Sequence, residues 1–364
     1  MTTLILKKEF DDLYKINFFE KFSKEISPLY VFGMNEYAES IIENYKVSGI
    51  IDEFTNEKTF KEIPIINLSD VPNDALVVVV VVVGKPIIAE KIVGKYEFDY
   101  IDYYSLLKFD KKKKLKTIPF IEGSREDIQN NFSDYEYIYQ KLRDKKSKNC
   151  LFNLVNFKYS LNIKYMRGFN YIPEKQYFEE FIELEENEVF VDAGGFDGET
   201  TIDFIKKSPK FKEIHIFEPL QHQFLNICNR VSNHDNIFVH NLGLSDKIQK
   251  LKFKDAGSAS RITDDGEIEI TVCNLDSFLD LQPTYIKMDI EGAEVSAING
   301  AKYLINKYHP KLAICVYHKA TDIREVFKTV LNIRADYHVY LRHYTEGIYE
   351  TVMYFIPFTD GEFI

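Results

Sequence analysis

Cysteine is scarce in this sequence, and acidic side chains outnumber basic ones. The 364 residues include four cysteines, which are widely spaced and form no CxxC pair: Cys150, Cys228, Cys273 and Cys315. This spacing excludes a disulfide framework and a zinc-finger arrangement, and it fits a reducing compartment. The formal net charge of −11 argues against a nucleic-acid partner, because nucleic-acid binders usually present a basic face.

Long apolar segments are lacking as well. The longest apolar run covers residues 75–83 and includes an unbroken series of valines, whereas a membrane-spanning helix needs about 20 apolar residues. The amino-terminal residues include acidic side chains where an export signal would be apolar. These absences predict a cytoplasmic protein with no transmembrane segment.

What the sequence does contain indicates α/β architecture. Residues 28–104 alternate short apolar runs with helical patterns, and the valine run suits a parallel strand that is covered on both faces. Helical patterns follow at residues 134–142, 150–160 and 174–181. The alternation of strands and helices resumes from residue 188, and the sequence ends in a predicted hairpin.

The length of the chain predicts more than one domain, because 364 residues exceed the usual size of a single hydrophobic core. We predict a small Rossmann-like α/β domain over residues 1–115, a helical connector or cap over residues 116–182, and a second, doubly wound domain over residues 183–364. The first boundary follows the lysine-rich residues 111–114. We interpret this run as a solvated linker, and a phosphate or membrane contact is the alternative.

The most informative motif is a strand that runs into a glycine-rich turn and then a helix, at residues 189–200. The turn contains Asp192, Gly194, Gly195, Asp197 and Gly198. Glycines let a backbone turn tightly and approach a bound ligand closely. The two carboxylates would repel a pyrophosphate, but they suit a cofactor with a cationic sulfonium and an ammonium group. We therefore predict that these five residues contact such a cofactor.

A further acidic residue follows the next predicted strand. Glu218 comes directly after residues 213–217. A carboxylate in this place can accept hydrogen bonds from both hydroxyls of an adenosine ribose. An ordinary tight turn followed by a surface acid is the alternative interpretation of the two motifs.

Several later segments make the interpretation more specific. They are Asn241 to Asp246, Leu275 to Phe278, Lys-Met-Asp-Ile-Glu-Gly-Ala-Glu at residues 287–294, Gly300-Ala301, Pro310 to Leu312, Tyr317-His318 and Leu341 to Tyr344. Over residues 150–356 the succession resembles the FkbM family of S-adenosylmethionine-dependent methyltransferases. The resemblance implies a class I Rossmann-like methyltransferase fold with an antiparallel last strand. It also implies O-methylation of sugars, polysaccharides or polyketides, as in bacterial surface polysaccharide biosynthesis.

The resemblance implies roles for particular residues. The turn at residues 192–198 would lie beside the methionine part of S-adenosylmethionine, Glu218 would hold the ribose, and Ser245 and Asp246 would lie near the adenine. Phe196 stands where the general methyltransferase pattern has its middle glycine. The acceptor would be a sugar or glycan hydroxyl, which could be nucleotide-linked.

A base near the acceptor is useful because the acceptor hydroxyl must lose its proton. His318 and Asp289 fall at the carboxyl ends of predicted strands, where ligands bind in open α/β sheets. We predict His318 as the general base, since the ordinary pKa of histidine lies near neutrality. Asp289 is the second choice, or it orients the histidine or the acceptor. A structural histidine and a helix N-cap are the alternatives.

Four further residues are predicted to contact the acceptor: Tyr177, Glu291, Arg342 and His343. Surface hairpin positions are the alternative for the last two. Glu294 precedes a predicted helix, and we interpret it as a cap. A divalent metal held by Asp289 with His318 or Glu291 is an alternative that no ligand spacing supports.

The first domain carries a degraded dinucleotide motif. Gly33, Asn35 and Ala38 follow a predicted strand, and Asp52 follows the next one. The middle glycine of G-x-G-x-x-G is absent, which argues against NAD redox chemistry. Residues 31–86 resemble the small Rossmann-like domain that begins bacterial sugar acetyltransferases, where it can bind a nucleotide sugar. Acceptor binding, homodimerisation and a purely structural role are open for this domain.

Two other functions are alternatives to methyl transfer. One is a nucleotide-sugar-binding protein or oxidoreductase that uses the first domain. The other is a non-catalytic protein that binds the cofactor. The motifs at residues 192–198 and 287–294, together with Glu218, favour methyl transfer over the first alternative, and the presence of Asp289 and His318 counts against the second.

Overall fold

The chain folds into two compact units. The computed structural model describes residues 3–7, 12–110, 112, 114–254, 261–262 and 266–358. The amino-terminal unit comprises Met1–Phe132, Leu151–Pro173 and Tyr344–Tyr349, and the carboxy-terminal unit comprises Ser133–Cys150, Glu174–His343 and Glu350–Ile364. The predicted sequential boundaries near residues 115 and 182 stay a prediction. Residues 111 and 113 of the predicted lysine-rich linker, and a turn predicted at Gly257 and Ser258, lie outside the described residues.

The amino-terminal unit is built on a largely parallel sheet. Its strands are β1 Leu29–Phe32, β2 Gly49–Ile51, β3 Thr59–Phe60, β4 Ile63–Ile66, β5 Leu76–Val79 and β6 Asp99–Asp102. They lie in the order β3-β4-β2-β1-β5-β6, and β3 runs antiparallel to β4. The helices are α1 Leu13–Ser23, α2 Glu36–Asn44, α3 Pro86–Val93, α4 Tyr103–Phe109 and α5 Ser124–Asn130.

The valine run forms the buried strand that the sequence predicts. Strand β5 pairs in parallel with β1 and with β6, and every residue of it is buried. Val77 and Val79 pack with Ile51, Val93 and Phe98 in one apolar cluster. A β-branched run is stable here because stiff side chains pack well on both faces of a covered parallel strand.

The carboxy-terminal unit contains a seven-stranded sheet and a smaller one. The strands are β7 Val189–Ala193, β8 Glu213–Phe217, β9 Ile237–His240, β10 Gly243–Leu244, β11 Gln249–Lys254, β12 Arg261–Ile262, β13 Ile268–Cys273, β14 Tyr285–Met288, β15 Lys311–Cys315, β16 Tyr337–His343 and β17 Thr351–Pro357. The large sheet has the order β16-β17-β15-β14-β7-β8-β9, and the small sheet has the order β10-β13-β11-β12.

Helices precede and follow these strands along the chain. They are α6 Phe132–Lys141, α7 Lys145–Ser160, α8 Glu199–Lys207, α9 Gln221–Arg230, α10 Glu294–Asn299, α11 Lys302–Tyr308 and α12 Asp322–Ile333. Helix α7 belongs to this unit only as far as Cys150. Strands β9, β8, β7, β14 and β15 pair in parallel, whereas β17 runs antiparallel to β15 and to β16. The predicted doubly wound sheet with an antiparallel last strand is therefore confirmed. The carboxyl ends of β8, β7, β14 and β15 meet at one edge, which is where ligands bind in such sheets.

The predicted helix over residues 174–181 is wrong. The structure has a short 3₁₀ turn, Pro173–Lys175, followed by irregular backbone. Tyr177 has φ of 66°, a left-handed conformation that ends a helix. Its N–H donates to the hydroxyl of Tyr354 on β17 at 3.1 Å, so a tertiary partner replaces the helical hydrogen bond that sequence periodicity predicts.

A search of the described residues for membrane-crossing helices finds none with the necessary length and apolar character.

Candidate active site

A glycine-rich turn follows the carboxyl end of β7 and is hydrogen-bonded to the carboxyl end of β8. The N–H groups of Gly194 and Gly195 donate to the carbonyl oxygen of Phe217 at 2.9 and 3.2 Å. Helix α8 begins directly after Gly198, which has φ of 82°. The predicted strand, turn and helix at residues 189–200 are therefore present, and the helix N-terminus lies beside the turn.

Gly194 is required by space as well as by conformation. Its φ is 78°, and an added Cβ would lie 1.8 Å from the carbonyl oxygen of Asp289. Gly194→Ala should therefore lower the free energy of unfolding by about 2–3 kcal/mol, measured by urea denaturation followed by circular dichroism. Gly198→Ala is the matched control. Its φ is also positive, but its nearest neighbour would be the Arg230 Cδ at 3.5 Å, so it should cost only about 1 kcal/mol. Equal losses would contradict the steric argument.

Phe196 adopts the conformation that a glycine would favour. Its φ is 47°, and 58% of the side chain surface is exposed. Its N–H donates to Glu218 Oε2 at 2.9 Å. The turn therefore has a residue in the left-handed conformation at the position where the general methyltransferase pattern has its middle glycine. Five more non-glycine residues have positive φ in the described part of this unit. Tyr177, Glu291 and Glu350 lie around Asp289, whereas Asn187 and His309 precede β7 and β15.

Glu218 lies at the end of β8 as predicted. The side chain is buried, and its two carboxylate oxygens accept hydrogen bonds from the N–H groups of Phe196 and Leu220, both at 2.9 Å. Burial raises the pKa of Glu218 above its ordinary value, and the two hydrogen bonds only partly offset this rise. A carboxylate has about four acceptor positions, so two remain for a pair of ribose hydroxyls.

Asp192 stabilises the turn through its contacts with Lys287 and Thr201. It is fully buried, its Oδ1 lies 3.0 Å from Lys287 Nζ, and its Oδ2 accepts a hydrogen bond from Thr201 at 2.7 Å. Lys287 in turn donates to the carbonyl oxygen of Gly194 at 2.7 Å. The carboxylate is thus engaged by protein groups, and its predicted contact with a cofactor stays a prediction.

Lys287 is a site residue that sequence reasoning missed. It occupies the third position of β14, between apolar residues, and its side chain is 3% exposed. Burial alone would lower the pKa of Lys287, but the carboxylates of Asp192 and Asp289 outweigh burial and raise it. A lysine inside an otherwise apolar parallel strand was the signal that could have identified it, because buried charges are paired.

The other predicted cofactor residues lie around this turn with protein partners of their own. Asp197 accepts a hydrogen bond from the N–H of Glu199 at 3.0 Å at the start of α8, and its backbone oxygen accepts one from Arg230 at 2.7 Å. Ser245 is buried and donates to the exposed Asp246 at 3.2 Å. Their predicted contacts with the methionine part and the adenine stay predictions.

Asp289 follows β14 on the other side of β7. Tyr177 donates to its Oδ2 at 2.8 Å, and Tyr317 donates to its Oδ1 at 3.3 Å. Burial alone would raise the pKa of Asp289, but the positive charges of His318 and Lys287 and the hydrogen bond from Tyr177 outweigh burial and lower it. Asp289 is therefore an ionised carboxylate at neutral pH, as its predicted place at a strand end suggested.

His318 lies among carboxylates, and its side chain is 2% exposed. Its Nδ1 is 3.0 Å from Glu294 Oε1, and its Nε2 is 3.4 Å from Asp289 Oδ1 and 3.6 Å from Glu291 Oε2. Burial alone would lower the pKa of His318, but Glu294, Asp289 and Glu291 raise it to about 10. A ring that already carries its proton cannot accept another. The geometry thus argues against the predicted general-base role, which rested on an ordinary histidine pKa.

Glu294 fixes this arrangement. It is fully buried, and its Oε1 also accepts hydrogen bonds from the N–H groups of Ile290 and Gly292 at 3.0 and 3.4 Å. Both donors precede α10, which begins at Glu294, so these two bonds do not cap that helix and the interpretation of Glu294 as a cap is not supported. Asp289, Glu294 and His318 offer ligand atoms within 4.8 Å of one another and could hold a cation. The ion pair between His318 and Glu294 accounts for the same spacing, and we propose no metal.

Two further carboxylates surround Asp289. Burial raises the pKa of Glu291 to about 8, and the neighbouring Asp289 adds to the rise. Burial and the charge of Asp289 likewise raise the pKa of Glu350 to about 7, and Gln176 donates a hydrogen bond to it. Glu350 was missed because it lies in a hairpin connection, where no periodic or motif signal marks it.

Arg342 and His343, for which the sequence predicts acceptor contacts, are both enclosed by the protein, and those contacts stay predictions. Arg342 is buried, and its guanidinium donates to both carboxylate oxygens of Asp144, at 2.6 and 3.3 Å, and to Ser147 at 2.7 Å. His343 is buried too, with Nδ1 2.8 Å from the hydroxyl of Thr351. The surface-hairpin alternative fails, because both side chains are enclosed.

The degraded dinucleotide motif of the amino-terminal unit is satisfied by the chain itself. Asn35 Oδ1 accepts hydrogen bonds from the N–H groups of Tyr37 and Ala38 and so caps α2. At the start of α3, Glu346 accepts hydrogen bonds from the N–H groups of Ile87 and Ile88, both at 3.0 Å. A helix N-terminus capped in this way lacks the donors that would bind a phosphate. These contacts argue against dinucleotide binding there.

The sheet order with a reversed β17, and the acid-flanked glycine turn between β7 and β8, define a Rossmann-like methyltransferase. The model of the methyltransferase FkbM domain matches residues 192–340. Residues 192–340 are therefore similar to that family of domains. No curated protein matches the sequence.

Three solved structures are similar to part or most of the chain, and the first of them shares its fold. The crystal structure of a methyltransferase FkbM from Methylobacillus flagellatus superposes with a TM-score of 0.74 at 24% identity, over 90% of each chain. An rRNA methylase from Streptococcus thermophilus matches with a TM-score of 0.34 at 13% identity, over 48% of this chain and 90% of the other. A fibrillarin from Aeropyrum pernix with bound S-adenosyl-L-methionine matches with a TM-score of 0.34 at 12% identity, over 48% and 70%.

Proposed function

We propose that the protein is an S-adenosylmethionine-dependent O-methyltransferase that acts on a hydroxyl of a sugar or glycan. We place this reaction in the cytoplasm, in the synthesis of a bacterial surface polysaccharide or a related product. The observation that carries the proposal is the pair of carboxylates on either side of the glycine turn. Glu218 follows β8 and Asp289 follows β14, and both strands pair with β7.

The residues beside the turn fit this cofactor. Glu218 is held rigidly by two N–H groups and keeps acceptor positions for a ribose diol. Asp289 adds negative charge at the end of β14, which is favourable for a sulfonium group. When bound, S-adenosylmethionine supplies an electrophilic methyl carbon.

Asp289 is the residue that we propose to hold the acceptor hydroxyl and to take its proton. Tyr177 and Tyr317 fix its carboxylate, so the acceptor oxygen can be aligned with the methyl carbon, and alignment supplies much of the rate acceleration. The low pKa of Asp289 is compatible with this role. Methyl transfer to a neutral hydroxyl gives a protonated ether. This species is a strong acid, so a weak base such as the Asp289 carboxylate can remove its proton. His318, as an imidazolium, orients Asp289 and Glu291.

Glu218 provides the test of the cofactor site. Glu218→Gln keeps the shape but removes the charge and one acceptor, so the Kd of S-adenosylhomocysteine should rise at least about tenfold in calorimetry. The matched control is Glu213→Gln, at the opposite end of the same strand, which should leave the Kd unchanged. An unchanged Kd for Glu218→Gln would overturn the assignment of the cofactor site.

The reaction itself is tested with methyl-labelled S-adenosylmethionine and a panel of sugars, nucleotide sugars and capsule or lipooligosaccharide fragments. Label transferred to a hydroxyl of one of these supports the proposal. Cofactor binding without transfer to any member would favour the non-catalytic alternative. Binding of NAD instead of the methyl donor would favour the oxidoreductase alternative.

A further inference from the structure

The carboxy-terminal unit contains a cavity that the proposed methyl-transfer chemistry does not use. Its volume is about 610 Å³. We call it the β16 cavity, because Tyr340 and Arg342 of β16 form part of its wall. The other lining residues come from the segment of residues 175–181 and from residues 143–146, between α6 and α7 and at the start of α7.

The floor of the β16 cavity is rigid and partly aromatic. The rings of Phe181 and Tyr340 stack with centroids 4.1 Å apart at an angle of 8°. The guanidinium of Arg342 lies 5.0 Å from the Phe181 ring centroid, and Asp144 and Ser147 hold it in place. Its other close carboxylate is Glu179, 3.6 Å from Nε. A flat apolar surface beside fixed polar groups is the usual composition of a ligand pocket.

The rim of the β16 cavity is positively charged. Three exposed cations line it, Arg143, Lys146 and Lys175. The only exposed carboxylate among the described lining residues is Glu180. Asp144 pairs with Arg342, and Glu179 lies 3.6 Å from Arg342 Nε and also 3.6 Å from Lys146 Nζ, whose charge it partly neutralises. In a chain of net charge −11 this cluster attracts anions locally.

The β16 cavity and Asp289 lie along one row of the sheet. Met288 of β14 pairs with Ile314 of β15, so the next residues, Asp289 and Cys315, lie side by side. Val352 of β17 pairs with Cys315 on one side and with Arg342 of β16 on the other. Three strand spacings separate β14 from β16, which is roughly 14 Å. A single segment also borders both places. Tyr177 reaches Asp289 with its hydroxyl, and its neighbours Lys175 and Phe178 line the cavity.

We propose that the β16 cavity is a distal acceptor subsite, and that the acceptor is an extended saccharide with a negative charge at some distance from the methylated hydroxyl. This inference rests on the proposed function. The distance exceeds the length of one sugar ring, so a monosaccharide cannot occupy both places. The aromatic floor packs against the C–H face of a sugar, and the cationic rim binds a carboxylate or a phosphate.

The test uses the full chain with Lys175 reversed in charge. Lys175 is exposed, so Lys175→Glu should fold normally. Its matched control is Lys302→Glu, at the exposed start of α11 in the same unit. The probes are an oligosaccharide that ends in glucuronate, a neutral oligosaccharide of the same length, and uridine diphosphate glucose. Calorimetry gives the Kd of each probe, and methyl transfer gives KM and kcat for any probe that accepts the methyl group.

Lys175→Glu should raise the Kd and the KM of an anionic probe about fivefold, with kcat unchanged. The effect should fall as salt is added, and the neutral probe and Lys302→Glu should show no change. A response to the glucuronate probe alone identifies a carboxylate, and a response to the nucleotide sugar alone identifies a phosphate. Equal affinity of wild type and Lys175→Glu for every probe would overturn the subsite. If the affinities are equal but methyl transfer still occurs, the subsite is refuted and the proposed function stands. If binding depends on the charge of Lys175 but no methyl group is transferred to any probe, the proposed function is refuted and the binding site stands.

Discussion

Asp289→Asn should lower the turnover number for methyl transfer by about 10²–10⁴-fold. Asparagine keeps the size of the side chain and can accept the hydrogen bond from Tyr177, but it cannot take a proton from the acceptor. The Kd of S-adenosylhomocysteine should change by less than about twofold, because this product lacks the sulfonium charge that Asp289 attracts. The measurement is kcat by transfer of labelled methyl, with the Kd of S-adenosylhomocysteine determined on the same preparation.

Asp280→Asn is the matched control. Asp280 is exposed and precedes β14, at the opposite end of the strand from Asp289. It should retain wild-type turnover. If Asp289→Asn were as active as the wild type, the proton would have to leave by another group. Glu350, whose pKa is about 7, would then become the leading candidate for the base.

The cofactor side of the site could be predicted from the sequence because its signals are local. A strand, a glycine-rich turn and a helix are adjacent in the chain, and the conformations of Gly194 and Gly198 follow from that succession. Glu218 was predicted by its place directly after a strand, and it lies where that place requires. The parallel order of the large sheet followed from the alternation of strands and helices in the same way.

The acceptor side depended on contacts between residues far apart in sequence. The proton on His318 is retained because Glu294, fully buried on another element, lies 3.0 Å from the ring, and no local pattern encodes that distance. Arg342 lies near a strand end, as the sequence predicts. Its guanidinium donates to Asp144, which is 198 residues away in the sequence, and no local pattern predicts that contact. The helix expected over residues 174–181 failed for the same reason, since Tyr177 takes its partner from β17.

His318→Gln should lower the free energy of unfolding by about 3–5 kcal/mol at neutral pH. The substitution leaves Glu294 fully buried without the cation that lies 3.0 Å away, and an uncompensated buried charge is costly. Urea denaturation followed by circular dichroism measures the change. Glu294→Gln should be destabilising as well, and the double variant should lose less than the sum of the two single losses, because each single change leaves one charge unpaired.

The pH dependence of stability distinguishes this ion pair from a packing effect. The pKa of His318 is raised from an ordinary 6.5 to about 10 in the folded protein. Its contribution to stability is therefore complete below about pH 6.5 and is lost as the pH rises toward 10. The raised pKa of Glu291, about 8, acts in the same direction only up to that pH. Burial also raises the pKa values of Cys150 and Cys273, which lowers the stability of the folded protein between pH 8 and 10, so the comparison with His318→Gln over that interval isolates the contribution of His318. Across that interval the wild type should lose stability relative to His318→Gln, and parallel curves for the two proteins would show that the ring is not an imidazolium in the folded state.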